Sequence, residues 1–92
     1  VFALTVNGDS MIDAFIAHGD MVLMEPIKDH FSIQNGMIVS AMVPGLGTTL
    51  KYFFKKGNKI SLQAANPAYS PIELNLEEVV LQGKLLAVWR KV

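Results

Sequence analysis

The sequence predicts an all-β fold, a compact arrangement of short, mostly antiparallel strands and hairpins. Three observations predict it. Apolar residues alternate with polar ones over short stretches instead of recurring every three or four residues. Turn-forming pairs, Asn7-Gly8, Asn35-Gly36, Asn66-Pro67 and Ser70-Pro71, break the chain at short intervals. The one segment with helix-like spacing, residues 11–17, runs into Gly19-Asp20 and is no more than a short helical turn.

Taken in order, Phe2, Leu4 and Val6 share one face of a first strand that ends at the Asn7-Gly8 turn. Residues 21–25 form a compact apolar strand stopped by Pro26, and a polar stretch leads from there to Asn35-Gly36. Residues 37–43 and 48–54 are strands joined through Pro44-Gly45-Leu46-Gly47, whose composition suits a hairpin loop. Lys56-Gly57-Asn58-Lys59 turns the chain into a strand where Ile60 and Leu62 alternate with Ser61 and Gln63. Prolines 67 and 71 leave the next region as loop with short extended pieces. The tail over residues 79–92 is rich in strand-forming residues, with Gly83 a bulge or bend inside it. Lys55-Lys56 and Glu77-Glu78 read as solvated loop residues.

Ninety-two residues suffice for one domain with one core, because splitting them leaves each half too small to offset its ordering entropy. With 51% hydrophobic and 17% charged residues, the chain is not intrinsically disordered. Eight basic residues balance eight acidic ones, so no net positive field favours nucleic acid, and any DNA contact is expected from outside this segment. The absence of cysteine removes disulfide and thiolate chemistry and fits the cytoplasm. No apolar run is long enough for a membrane-spanning helix. A start at Val1 without a leader reads as a fragment or processed product.

Gly8-Asp9-Ser10-Met11 carries the chemical signal. It follows a strand directly, where a tight turn projects the Ser10 hydroxyl away from the sheet. A serine hydroxyl needs a base to remove its proton. His18 sits beside the Gly-Asp turn and His30 in a polar loop, and both read as surface residues without apolar flanks to fix their rings. No His-x-x-x-His or Cys-x-x-Cys spacing gathers metal ligands, so no metal and no cofactor is expected. Lys51 differs, because it interrupts a strand-forming run, Thr48 to Phe54, that holds its amine against apolar surface. Burial penalises the charged form and lowers the pKa, which makes lysine a usable general base. The plainer reading of each residue stands beside this one: strand lysines usually face solvent, and a serine before methionine is usually a turn residue.

Gly8-Asp9-Ser10-Met11, then Gly19-Asp20, Asn35-Gly36-Met37-Ile38-Val39 and Thr49-Leu50-Lys51 resemble, in order and approximate spacing, the LexA, UmuD and phage-repressor peptidase family. Asn66-Pro67-Ala68-Tyr69-Ser70-Pro71-Ile72 is similar to the segment before that family's final strands. The resemblance implies a LexA/signal-peptidase-like β-fold over residues 1–92, a C-terminal autopeptidase and dimerisation domain whose DNA-binding domain and cleavage-site region lie outside the chain. By motif it makes Ser10 the nucleophile, Lys51 the general base and the backbone N–H groups of Asp9 and Ser10 the oxyanion donors. Asp9 receives no proton-transfer role, and its side chain is expected to shape the turn. The family's target is an Ala-Gly or Cys-Gly bond upstream of the serine, and neither pair occurs in this chain.

The resemblance further implies a homodimer through the terminal strand, here residues 85–92, with a RecA filament promoting cleavage and operator DNA bound only through the missing N-terminal unit. Trp89 is either an anchor of that interface or a core residue. Pro44-Gly45-Leu46-Gly47 lengthens the hairpin before Lys51 relative to familiar members, and a one-residue change of register would turn Lys51 to the opposite face. From Thr49-Leu50-Lys51 onward the resemblance favours a LexA-type repressor domain controlling DNA-damage genes, with a UmuD-like subunit of a translesion polymerase and a catalytically idle dimerisation module as the alternatives. A signal peptidase shares the chemistry but needs a membrane anchor.

Overall fold

Alternating apolar residues and turn chemistry resolve into seven strands: β1 (Phe2–Thr5), β2 (Met21–Pro26), β3 (Ile38–Val43), β4 (Gly47–Lys56), β5 (Lys59–Gln63), β6 (Ile72–Asn75) and β7 (Val80–Trp89). The computed structural model describes residues 1–91. Three single-turn 3-10 segments, Ile12–Ala14, His30–Ser32 and Leu76–Glu78, are the only helical pieces among them. The expected all-β class holds. Every pairing is antiparallel, in one curled sheet of order β1-β2-β7-β3-β4-β5-β6. The last strand therefore occupies the middle of the sheet, between β2 and β3.

The turns before β3 and β4 follow from their glycines. Gly36 adopts φ +92°, a region that side-chain-bearing residues seldom enter, and its N–H donates to Phe53 O at 2.8 Å. The loop before β4 closes on the pair Val43–Gly47, which leaves Pro44, Gly45 and Leu46 at the tip. The extra hairpin residues are thus absorbed at the turn, and the ladder behind it runs without a shift, with Ala41 opposite Thr49 and Val39 opposite Lys51.

Curling comes from β7, which has two irregularities. Leu86 is the extra residue between the pairs Leu23–Ala87 and Met24–Leu85, and Gln82 is the extra residue between Ser40–Gly83 and Ala41–Leu81. The irregularity expected at Gly83 thus falls on its neighbour, and Gly83 has another task. A Cβ there would stand 2.7 Å from Phe2 Cζ and 3.0 Å from Met24 Cβ, so hydrogen is the only side chain that lets the Phe2 ring cross β7.

The expectation of one core is corrected. Buried residues form two clusters, one of Met11, Ile16, Val22, Met24 and Ala65, the other centred on Val39, Ala41, Val43, Phe53, Ile60 and Leu62. A curled sheet with only loops and single turns for cover has no second layer to unite its apolar faces. The segment between β1 and β2 covers the first cluster, inserting Met11 and Ile16, each 1% exposed. Two smaller corrections concern charge pairs. Lys55 and Lys56 belong to β4 instead of a loop, and Glu77 and Glu78 are engaged, accepting from Asn58 Nδ2 at 2.7 Å and Asn75 N at 2.8 Å.

Candidate active site

The segment between β1 and β2 carries Ser10, and its base is built from backbone. Val6 N donates to Asp20 O at 2.8 Å and Gly19 N donates to Val6 O at 2.9 Å. Gly8, at φ +86°, makes the turn ahead of the serine, and its N–H donates to His18 Nδ1 at 2.9 Å. His18 is exposed, as expected, but that hydrogen bond holds its ring, so it needs no apolar flanks.

Asp20 organises the other side of this segment. Its side chain is buried and accepts from Ala17 N at 2.8 Å and from Arg90 Nε and Nη2 at 2.7 Å each. The Arg90 guanidinium, followed by the Ala17 N–H, lowers the Asp20 pKa from 3.8 to about 2. Arg90 also donates to Phe15 O at 3.2 Å, so the residue after β7 ties the chain end to the serine-bearing segment. In the sequence Gly19-Asp20 is a stop signal and one block of the family resemblance, and a pair 70 residues apart leaves no local signal that would reveal it.

Lys51 is 7% exposed, and its amine stands 2.9 Å from Ser10 Oγ, 2.6 Å from Thr49 Oγ1 and 3.2 Å from Leu50 O. The Leu50 carbonyl can only accept, so it takes one N–H. As an ammonium, Lys51 donates its other two N–H groups to Thr49 Oγ1 and Ser10 Oγ; as a neutral amine it keeps one of these and has a lone pair for the Ser10 hydroxyl proton. No carboxylate among the described residues pairs with Lys51; the two ion pairs there are Lys84–Glu25 and Arg90–Asp20. Burial without a compensating charge lowers the Lys51 pKa. Thr49, on the same strand face two residues earlier, is the contact that sequence reading missed, although period-two alternation in β4 points to it.

Asp9 departs from its expected role. Its carboxylate accepts from Tyr69 Oη at 2.6 Å instead of bonding within its own turn, and its carbonyl accepts from Asn66 Nδ2 at 2.9 Å and Ile12 N at 3.2 Å. The Asp9 and Ser10 N–H groups make no hydrogen bond to another described residue.

Ser10 and Lys51 open on a cleft of about 370 Å³ bordered by Leu4 to Val6 on one side and Thr48 to Leu50 on the other. Both borders are strand edges. β1 pairs only with β2, and β4 pairs with β5 only from Tyr52 onward, which leaves residues 47–51 bonded to β3 alone. His30 lies away from this cleft. Among the described residues no three His, Cys, Asp or Glu side chains cluster as metal ligands, and no helix is long and apolar enough to cross a membrane.

The fold is thus an all-β domain that brings a serine hydroxyl and a buried lysine amine together beside an open strand edge. Residues 1–86 match the Peptidase S24-like family model, and the chain belongs to that family. It is 46% identical over 89 residues to a LexA repressor of Ruegeria sp. (strain TM1040), 43% over 91 residues to a LexA repressor of Thermotoga neapolitana, and 34% over 90 residues to the transcription regulator LexA of Synechocystis sp.. These alignments cover 97%, 99% and 98% of this chain but 36%, 44% and 44% of the relatives, so the chain spans well under half of their length.

Proposed function

We propose that this chain is the peptidase domain of a LexA-like transcriptional repressor, cleaving a peptide bond upstream in its own full-length protein and so ending repression of DNA-damage genes. The observation that carries the reading is the 2.9 Å contact between Lys51 Nζ and Ser10 Oγ, with the amine buried and unpaired with any carboxylate among the described residues.

In this reading the substrate lies in the cleft as an extended strand, since an open edge recognises peptide backbone whatever the side chains. Neutral Lys51 takes the Ser10 proton as Oγ attacks the scissile carbonyl carbon, and the Asp9 and Ser10 N–H groups stabilise the oxyanion. The tetrahedral intermediate collapses, the C–N bond breaks, and the Lys51 ammonium gives its proton to the leaving amine. Water then attacks the acyl ester, Lys51 accepts its proton, and the Ser10 oxygen leaves and is reprotonated by Lys51. No metal or cofactor takes part.

The wider assignment extends the family resemblance. The full-length protein is a cytoplasmic homodimer joined through the C-terminal half of β7, binds operator DNA through a separate domain, and is triggered by a RecA filament. Leu86, Val88 and Trp89 are 51%, 41% and 60% exposed, which supports an interface there and excludes Trp89 from the core of one chain. Position 92, the end of the expected interface strand, lies outside the described residues. The test is incubation of the full-length protein at alkaline pH beside Ser10→Ala and Lys51→Ala. Fragmentation in the parent alone is expected; equal fragmentation in all three ends the proposal.

A further inference from the structure

The peptide plane between Asp9 and Ser10 carries the Asp9 carbonyl and the Ser10 N–H on opposite sides, because a trans peptide directs the two groups oppositely. There is no cis bond among the described residues, and the Asp9 carbonyl is held by Asn66 Nδ2 at 2.9 Å as well as by Ile12 N at 3.2 Å. Holding the carbonyl therefore fixes where the Ser10 N–H points, away from Asn66. Asp9, Ser10 and Tyr69 line the cleft, and Asn66 does not.

The grip on this plane comes from one segment. Ala65 O accepts from Asp13 N at 2.8 Å, Asn66 Nδ2 reaches the Asp9 carbonyl, and Tyr69 Oη reaches the Asp9 carboxylate at 2.6 Å. Asn66 is itself set by a turn in which its Oδ1 accepts from Ala68 N at 2.9 Å. Its side-chain amide thus arrives already oriented, with the loss of freedom taken up in folding.

We propose that Asn66 is a positioning residue for peptide-bond cleavage, fixing the Asp9–Ser10 plane so that the Ser10 N–H meets the oxyanion, with Tyr69 restraining the Asp9 side chain. The inference rests on the serine-lysine reading of the site. A donor aimed before the reaction begins stabilises developing charge without reorganisation, and losing one such donor slows catalysis by roughly 10²- to 10³-fold. Loosening its support costs less, about 10-fold.

Asn66→Asp tests this, because aspartate can still accept from Ala68 N and keeps the turn while losing only the donor to the Asp9 carbonyl. Asn66→Ala is the uncharged companion. Self-cleavage of the full-length protein is followed against pH, with amide spectra confirming the fold. The limiting alkaline rate should fall about 10-fold or more in both variants. In Asn66→Ala the pH midpoint, which reports Lys51, should stay where it is. A limiting rate within about twofold of the parent in Asn66→Asp, or a loss confined to a shifted midpoint, overturns the proposal. Ser10→Ala separates the two levels: if it cleaves like the parent, the serine-lysine reading fails, whereas if it is inert and Asn66→Asp is unimpaired, only the role of Asn66 fails.

Discussion

Lys51 and Ser10 stand 41 residues apart in the chain and 2.9 Å apart at their functional atoms. Two features independent of each other produce this meeting: the unshifted β3–β4 ladder, which sets Lys51 opposite Val39, and the Gly8 turn, which brings Ser10 back over β4. The amine is thereby held where water is scarce and no anion compensates its charge.

Burial of Lys51 should cost stability. Its folded pKa lies below the ordinary 10.5, so between those two values the unfolded chain binds more protons and stability rises with pH. Below the folded value the full penalty of a buried charge applies. Lys51→Met should therefore raise stability at pH 7 by about 1 kcal/mol, several degrees in Tm, with the gain shrinking as pH approaches 10.5. Thermal melts of both proteins from pH 6 to 10.5 check this. A variant less stable than the parent at pH 7 contradicts it.

The Asp20–Arg90 pair should govern acid stability. Arg90 and the Ala17 N–H depress the Asp20 pKa to about 2 from 3.8, so the stabilisation is complete above 3.8 and lost as pH falls through about 2. Asp20→Asn, which keeps an acceptor for Ala17, should lower Tm at pH 7 and show a shallower decline between pH 4 and 2. Melts whose acid limbs run parallel in the two proteins exclude the pair as the cause.

Gly83→Ala should destabilise the fold by about 1–3 kcal/mol, since its methyl would meet the Phe2 ring and Met24 Cβ. Phe2→Leu in the same chain should recover part of that loss, and a denaturant double-mutant cycle reads the coupling. Additive losses show that the ring is not the obstacle.

Ser40 Oγ is buried in β3 with no hydrogen-bond partner among the described residues. Ser40→Ala should consequently leave stability unchanged or raise it by up to about 1 kcal/mol in urea unfolding, because an unmade hydrogen bond is removed. A clear loss of stability means the hydroxyl has a bonding role.

The all-β class was legible because alternation and turn dipeptides are local signals, and the turn at Gly36 and the hairpin at Gly45 fall where those dipeptides lie. Ser10 and Lys51 are nameable from motif order, while Thr49 as a partner of Lys51 needed the strand period to be followed one step further. Asn66 and Tyr69 gripping Asp9, and Arg90 gripping Asp20, are contacts across 57, 60 and 70 residues, and residue types carry no trace of such pairings. Of the two bulges of β7, the one at Gln82 lies beside the Gly83 that announced an irregularity, while the one at Leu86 left no signal, since register shifts arise from curling, which no single strand encodes.

The amine at position 51 is expected to lose its proton more readily than that of a solvated lysine. Selective isotope labelling of lysine side chains, followed by a pH titration of the Lys51 Cε and Nζ resonances in the folded domain, measures this directly. The expected result is a midpoint below 10.5 that returns toward it on unfolding in urea. A Lys51 midpoint at or above that of the exposed lysines in the same spectrum would contradict it.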